Sequence, residues 1–217
     1  VLRVSAPLSF GIAHMSTAMA QFMHTHPEIH IEMDLSDKRV DMIAEGFDVA
    51  IRIGNLTDSS LIAKKISSVS VVPTAAPGLI AQWPQLNHPD DLVNMPALAY
   101  GNDRSQHDWS YTGPDGKPGS LHITPRMSAN NGDVLRDLAI AGLGMVSLPT
   151  FLHYEAINKG LLKPLFPAYQ WSGFDIFVVY PKTTILPKRT RVFVDFIAGL
   201  YGKSPYWEDI NGLALTG

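Results

Sequence analysis

Cysteine is absent from the 217 residues of this chain. Without a thiol the chain can form no disulfide, can offer no thiolate to a zinc ion and has no cysteine nucleophile. This absence excludes a disulfide-stapled miniprotein, a thiolate zinc finger and a cysteine hydrolase. It is compatible with a reducing compartment, and we expect a cytoplasmic location.

Charge is scarce as well. Charged residues make up 17% of the chain and apolar residues 46%, a composition that indicates a folded chain with much buried surface. No run approaches the roughly 20 consecutive apolar residues of a bilayer-spanning helix, and the start VLRVSAPLSF lacks the pattern of a secretory signal. We expect no association with a membrane, and we interpret a chain that opens with Val1 in a strand pattern as part of a longer protein.

Basic residues form no stripe of the kind that binds nucleic acid. Lys and Arg number 17 against 20 Asp and Glu, for a net charge of −3. A single basic cluster is interpreted as a solvated helix start: Lys182, Lys188, Arg189 and Arg191. Because DNA binding requires several cations that face phosphates, we expect this chain not to bind DNA directly.

The sequence motifs of enzymes and cofactor sites are missing too. No GxSxG, P-loop or HExxH occurs, and GLGMVS at 142–147 lacks the third glycine of the dinucleotide fingerprint. His24 and His26 would point about 200° apart on a helix that ends before His30, so these histidines do not converge as metal ligands. We expect no cofactor, no metal and no catalytic residues, with an α/β enzyme of unrecognised site as a rival interpretation.

What the first quarter of the chain does contain is an alternation of strand and helix patterns. Strands are predicted at Leu2–Ala6, Ile29–Leu35 and Val49–Ile53, and a helix whose apolar stripe includes Ile12, Met15, Met19 and Phe22 precedes the second of them. The order implies parallel strands with crossover helices. Strict apolar–polar alternation in Ile29–Leu35 predicts an edge strand. Ser36 is predicted to cap a helix that carries Val40 and Ile43 and stops at Gly46.

A second strand–helix unit follows later in the chain. Thr112–Gly119 predicts a tight turn between two short strands, and a helix at 133–141 with Val134, Leu135 and Leu138 inward precedes a strand at Met145–Leu148. Another strand is predicted at Phe174–Tyr180 and a last helix at Arg191–Tyr201. The chain would pass between two α/β lobes near Val72–Ala76 and Gly173–Ile176, which leaves a cleft.

Polar residues follow several of these strands, where ligands bind in open α/β sheets. Helix starts beyond the carboxyl ends of strands expose N–H groups that favour anions. Such positions are occupied by Ser9, Phe10, Ser36, Asn130 and Asn131. Arg52 is either a counter-charge for an acidic ligand or, as we favour, an ion-pair partner of Asp48, Asp58 or another carboxylate.

Three segments together resemble a known family. They are PEIHIEMDLSDKRVDMIAEGFDVAIRIGNLTDSSLIAKKI (27–66), AIAGLGMVSLP (139–149) and VVYPKTTILPKRTRVFVDF (178–196). They resemble the effector-binding domain of LysR-type transcriptional regulators, and the resemblance extends from Val1 to about Gly202. It implies an α/β periplasmic-binding-protein type 2 fold: two Rossmann-like lobes, 1–74 with 175–217 and 75–174, joined by two crossover strands.

The resemblance also implies a function. A small effector would bind between the lobes and control transcription through a winged helix-turn-helix that these residues do not include. The domain would dimerise, with edge strand Ile29–Leu35 in the contact, and the full-length protein would be a tetramer. Effector-binding positions carried over from the family are Ser9, Phe10, Ser36, Tyr100, Asn130, Leu148 and Pro149. A periplasmic-type solute-binding protein of a transporter is the alternative, and effector identity, activation or repression, and the role of Ser204–Gly217 stay open.

Overall fold

The computed structural model describes residues 1–38, 41–54, 56, 60–101, 107–183, 185–202 and 205–210. Its strands, numbered in chain order, are β1 Leu2–Ala6, β2 Ile31–Leu35, β3 Val49–Ile53, β4 Leu61–Val69, β5 Val71–Ala75, β6 Ala97–Tyr100, β7 Asp108–Thr112, β8 Pro118–His122, β9 Pro125–Ala129, β10 Met145–Pro149, β11 Lys163–Pro164, β12 Gln170–Trp171 and β13 Phe174–Pro181. The α-helices are α1 Leu8–Phe10, α2 Ser16–Thr25, α3 Pro77–Ile80, α4 Gly132–Ile140, α5 Thr150–Asn158 and α6 Lys188–Leu200.

By their contacts these residues form two units. Of the described residues, the first contains those within Val1–Ser68 and Phe174–Pro205, and the second contains those within Val69–Gly173 together with Tyr206–Ile210. The lobes expected from the sequence divide at 74/75 and 174/175, whereas the contacts divide the chain at 68/69 and 173/174. The difference is larger at the C-terminal end, because Tyr206–Ile210 pack with the second unit and not with the first.

The first unit is built on a sheet with the strand order β2-β1-β3-β13-β4. β1 pairs in parallel with both β2 and β3, and β13 pairs antiparallel with β3. The parallel order predicted for the first three strands and the edge position of β2 are therefore confirmed. β1 is buried except for Arg3, and β3 is buried from Val49 to Ile51, whereas β2 alternates half-buried and exposed residues as an edge strand does.

The helical segment after β1 differs from the predicted stripe. Between α1 and α2 the chain forms a π-helical stretch, Gly11–Met15. This stretch changes the rotation per residue, so that Ile12 is 60% exposed and His14 is buried in its place. The inward position predicted for Ile12 is wrong for this reason, whereas Met15, Met19 and Phe22 are buried as predicted.

The helix predicted after Ser36 is also wrong. Residues 37–38 form a bend and residues 42–46 form a turn, and Val40 lies outside the described residues. Asp41, and not Ser36, bonds the N–H groups at the start of this turn. Its Oδ1 accepts hydrogen bonds from Ile43 N at 3.1 Å and Ala44 N at 3.0 Å. Gly46 still ends the turn with a left-handed φ of 71°.

Aromatic side chains hold the two long helices of the first unit together. The Phe22 ring on α2 contacts Phe193 and Phe196 on α6, with both centroid distances at 5.2 Å. Phe22 and Phe193 are fully buried, as the apolar faces predicted for both helices require. The helix predicted at Arg191–Tyr201 is observed from Lys188 to Leu200.

The second unit contains two sheets, with strand orders β11-β5-β10-β6-β9 and β12-β7-β8. In the larger sheet β6 pairs in parallel with β9 and β10, and β5 pairs antiparallel with β10. The smaller sheet contains the hairpin predicted around Thr112–Gly119, since β7 and β8 pair antiparallel across that turn. α4 covers the predicted helix at 133–141, but Val134 is 45% exposed, so its inward position was wrong.

None of the helices in the described part of the chain is long and apolar enough to cross a membrane.

Candidate functional site

Parallel pairing brings the predicted residues of the first unit to one edge of its sheet. Ala6 at the end of β1 lies beside Leu35 at the end of β2. The ladder continues one residue further, where Ser36 N donates a hydrogen bond to Ala6 O at 3.0 Å. Ser9 and Ser36 therefore follow adjacent carboxyl ends, the position at which open α/β sheets bind ligands.

Ser9 and Phe10 occupy this edge differently from each other. Pro7 precedes α1 as its cap residue and makes no side-chain cap bond, so Ser9 lies inside the first helical turn and is no cap. Its side chain is almost buried at the edge. Phe10 is completely buried, and its ring packs against His14 at 5.1 Å and Tyr201 at 5.8 Å. These contacts make Phe10 a packing residue beneath the edge.

The start of α1 is already bonded to a carboxylate of the chain itself. Leu8 N donates to Asp37 Oδ1 at 3.0 Å, across 29 positions of sequence. The neighbouring Ser36 Oγ accepts from Lys38 N at 3.2 Å. An effector anion at this helix start would meet the like charge of Asp37. The first unit therefore offers hydroxyl groups to a ligand more readily than an anion site. No pattern in the sequence marks Asp37 for this role, since its partner Leu8 is 29 positions away.

Arg52 lies on β3 close to the same edge. Its Nη1 donates to Ile51 O at 3.1 Å and reaches Ser5 Oγ at 3.5 Å. The carboxylate of Asp48 bonds other residues, with Oδ2 accepting from Arg3 N at 2.9 Å and Oδ1 from Arg189 Nη2 at 3.2 Å. The predicted pair with Asp48 is therefore made by Arg189, and Asp58 lies outside the described residues.

The second unit forms a corresponding edge from β9, β6 and β10. These strands are parallel neighbours, so Tyr100, Asn130 and Pro149 follow or complete carboxyl ends on one side of the sheet. Tyr100 and Asn130 are exposed and Pro149 is half-buried, so each can be reached from solvent. Leu148 has no exposed surface, which argues for a packing role.

Two helices begin at this edge, and a side chain caps the first of them, α4. Asn131 Oδ1 accepts from Val134 N at 3.1 Å and so caps α4, which is a structural role for the second of the two adjacent asparagines. At α5, Glu208 Oε1 accepts from Thr150 Oγ1 at 2.6 Å and from Ser70 N at 2.9 Å. Glu208 belongs to a segment, Tyr206–Ile210, that the sequence analysis left unassigned; we call it the C-terminal clamp.

A glycine presses against a leucine near the start of a helix in each unit. A Cβ atom on Gly11 would overlap the Leu35 side chain, and one on Gly132 would overlap the Leu152 side chain. Both contacts bring the helix backbone against a neighbouring element of the same unit, and only glycine leaves room for such an approach. The positions of the nearby Ser9 and Asn131 thus depend on glycine at 11 and at 132, because glycine has no side chain.

The histidines considered as metal ligands have other contacts. His24 Nδ1 lies 2.7 Å from Ala20 O in its own helix, and His26 Nδ1 lies 3.8 Å from Glu28. Among the residues that the structure describes, no group of His, Asp and Glu is arranged to hold a metal ion.

The model of the LysR substrate binding domain matches residues 1–201. The chain belongs to the LysR substrate-binding domain family. It is 35% identical over 196 residues to an uncharacterized HTH-type transcriptional regulator of Haemophilus influenzae, covering 90% of this chain and 68% of that protein. It is 30% identical to the HTH-type regulator PtxR of Pseudomonas aeruginosa, covering 94% and 65%.

Solved structures of LysR-type regulators are similar to this chain. The full-length Vibrio cholerae virulence activator AphB superposes with a TM-score of 0.77 at 29% identity, covering 91% of this chain and 67% of that one. The CrgA regulatory domain of Neisseria meningitidis superposes with a TM-score of 0.79 at 26% identity, covering 91% and 96%. The α/β periplasmic-binding-protein type 2 fold and the ligand-binding regulatory role inferred from the sequence are thus confirmed. The chain spans about two thirds of the length of the curated relatives it matches.

Proposed function

We propose that this LysR-type regulatory domain senses a small polar effector through the carboxyl edges of its parallel strands. The observation that supports this most is the gathering of the family-implied positions: Ser9 and Ser36 share one edge of the first unit, and Tyr100, Asn130 and Pro149 share one edge of the second. Ser9, Ser36 and Asn130 supply the hydrogen bonds, Tyr100 and Pro149 supply apolar contact, and Phe10 and Leu148 support them from within.

The charges at these edges favour an uncharged polar effector over an anion. Asp37 accepts a hydrogen bond from the backbone N–H of Leu8 in α1, and Glu208 accepts one from the hydroxyl of Thr150, the first residue of α5, so a carboxylate already lies beside each of these helix starts. A second anion there would be repelled and would have to displace a charge-assisted hydrogen bond. Hydroxyl and amide groups of a ligand would pair with the serines and the asparagine at no such cost.

Binding of the effector to this domain would control transcription through a separate helix-turn-helix domain. An effector changes the balance of two arrangements only by its different affinity for them, and the domain itself would need neither catalytic chemistry nor a cofactor. DNA would be bound only by that other domain, and we expect a cytoplasmic location, where a bacterial regulator meets its DNA. The relatives named as HTH-type regulators support this assignment.

Association into dimers belongs to the same proposal. β2 is an edge strand of the first sheet, and Ile31 and Met33 on it are half-buried, so a second copy could cover them. We expect a dimer of this domain and a tetramer of the full-length protein. Ile31→Lys should shift the chain towards monomer in light scattering, with Ile185→Lys, at an 81% exposed site, as control. A monomeric unaltered chain at high micromolar concentration would contradict the dimer.

Calorimetry on serine variants tests the effector site. A thermal-shift screen of small polar metabolites supplies a ligand, and Ser9→Ala or Ser36→Ala should each weaken its binding about fivefold, since a neutral hydrogen bond contributes on the order of 1 kcal/mol. Ser120→Ala, at an exposed position of β8, is the matched control and should bind as the unaltered chain does. Unchanged affinity in both edge variants would place the ligand elsewhere.

A further inference from the structure

Two donor groups of the second unit lie side by side where β5 begins and β10 ends. In the antiparallel pair of these strands Pro149 is opposite Val71. The pairing extends by one residue, because Thr150 N donates a hydrogen bond to Ser70 O at 2.9 Å. Backbone pairing of the sheet therefore holds the Ser70 N–H group beside the Thr150 hydroxyl.

Both donors converge on one oxygen atom of a carboxylate. Glu208 Oε1 accepts a hydrogen bond from Ser70 N at 2.9 Å and another from Thr150 Oγ1 at 2.6 Å. Thr150 has no exposed surface, so solvent does not compete for its hydroxyl. Hydrogen bonds to an ionised oxygen are roughly twice as strong as those between neutral groups. The pair of donors therefore has the chemistry of a carboxylate-binding site.

The neighbours of Glu208 in the C-terminal clamp hold this carboxylate in place. The short helix of the clamp packs on α5, Trp207 is completely buried and Ile210 is nearly so. The Tyr206 ring contacts Tyr154 on α5 at a centroid distance of 5.8 Å. Large aromatic side chains dominate the energy of such contacts. Packing of the clamp thus delivers the Glu208 carboxylate to the two donors without relying on the donors alone.

We infer that Glu208 is a built-in ligand, whose carboxylate fills a carboxylate-binding site formed by the Ser70 N–H and the Thr150 hydroxyl and thereby excludes external carboxylates. A group attached to the chain competes with a dissolved anion at a high effective concentration. Removal of the Glu208 carboxylate makes the site available to small monocarboxylates. Because Thr150 directly follows Pro149, Glu208 would also determine the charge of the effector that the second unit accepts. That consequence rests on the function proposed above, whereas the site itself does not.

Acetate is the probe for this site, because it corresponds to the end of the Glu208 side chain. The Ser70 amide resonance is followed in NMR spectra of the full chain as acetate replaces chloride at constant ionic strength and neutral pH. In Glu208→Ala we expect a saturable shift of this resonance and binding roughly tenfold tighter than that of neutral acetamide, since charge-assisted bonds are the stronger ones. The unaltered chain should show no saturable shift, because Glu208 occupies the site.

Three further variants serve as controls. Glu208→Gln keeps an oxygen acceptor in the site and should bind acetate no better than the unaltered chain does. Asp209→Ala removes the same charge from the neighbouring exposed residue of the clamp and should not bind acetate. Thr150→Val, made in the Glu208→Ala chain, removes one donor at nearly constant volume and should weaken acetate binding roughly tenfold.

Two results would overturn the inference directly. One is the absence of an acetate response in a folded Glu208→Ala chain, and the other is an equal response in Asp209→Ala. If Glu208→Ala does not fold in chloride, acetate and not acetamide should restore the spectrum of the folded chain, and its failure to do so would count equally against the site. No effector is used, so failure of this experiment is distinct from failure of the proposed function.

Discussion

The two units of this chain gather residues at the carboxyl edges of parallel strands by different routes. In the first unit, β1, β2 and β3 come from the first 53 residues, and the carboxylate at the helix start, Asp37, is 29 positions from its partner Leu8. In the second, the strands come from residues 97–149, and Glu208 is 58 positions from Thr150. The first unit thus completes its edge locally, whereas the second depends on the end of the chain.

The largest expected effect follows from this dependence. Trp207→Ala removes a completely buried side chain and should lower the free energy of unfolding by about 3–5 kcal/mol, the usual cost of such a truncation. Urea unfolding followed by circular dichroism measures it, and Tyr206→Ala, at a half-exposed neighbour, should cost much less. Equal and small effects of both substitutions would show that the second unit does not depend on the clamp.

The next largest expected effect is a loss of stability in acid, and its source lies in the second unit. Burial lowers the pKa of His153 on α5 to about 3, with the charge of Arg136 as a second cause. An unfolded histidine titrates near pH 6.5, so below that pH the unfolded state binds a proton that the folded state refuses. Stability should fall by up to roughly 1.4 kcal/mol per pH unit between pH 6.5 and 3.

His153→Met is the variant that isolates this effect. It should flatten the pH dependence of unfolding in that window, whereas His122→Met, at an exposed histidine paired with Asp108, should leave most of it. If both variants show the same dependence of the unfolding free energy on pH as the unaltered chain, His153 is not the source of the effect.

A smaller effect is expected at the glycine contact of the first unit. Gly11→Ala forces a methyl group against Leu35 and should cost about 1–3 kcal/mol, as overpacking usually does. Leu35→Ala in the same chain should relieve part of that cost, and the coupling of the two is read from a double-mutant cycle. Gly78→Ala, where a Cβ would meet nothing within 4 Å, is the control.

We expect this domain not to bind DNA. The chain carries a net charge of −3 and no basic stripe, so a duplex should not shift in a gel with this domain at any salt concentration. Salt-sensitive affinity in the submicromolar range would overturn the assignment of DNA binding to another domain.

The sequence predicted those parts of the fold that depend on local periodicity. Alternation in Ile29–Leu35 predicted the edge strand, which the structure has at Ile31–Leu35, and the apolar runs at 49–53 and 174–180 predicted strands that the structure confirms. Ile12 was misplaced because a π-helical stretch changes the period of the helix. The helix expected after Ser36 was wrong, because residues 42–46 form a turn whose N–H groups at Ile43 and Ala44 bond the Asp41 carboxylate.

Contacts between distant residues were beyond such patterns. The roles of Asp37 and Glu208 rest on single carboxylates whose partners lie 29 and 58 positions away, and no periodicity marks them. Ser9, Ser36 and Asn130 could be named because each follows a predicted strand, and the parallel register then places them at shared edges within each unit. Their contact with an effector is a prediction.

Mapping a bound effector on the two edges tests the central claim most directly. The first compound that stabilises the chain in a thermal-shift screen is titrated into isotope-labelled protein, and the backbone amide shifts are recorded. We predict saturable shifts at Ser9 and Ser36 in the first unit and at Tyr100 and Asn130 in the second, with the β7–β8 hairpin unchanged. Saturable shifts confined to residues away from these edges would contradict the account.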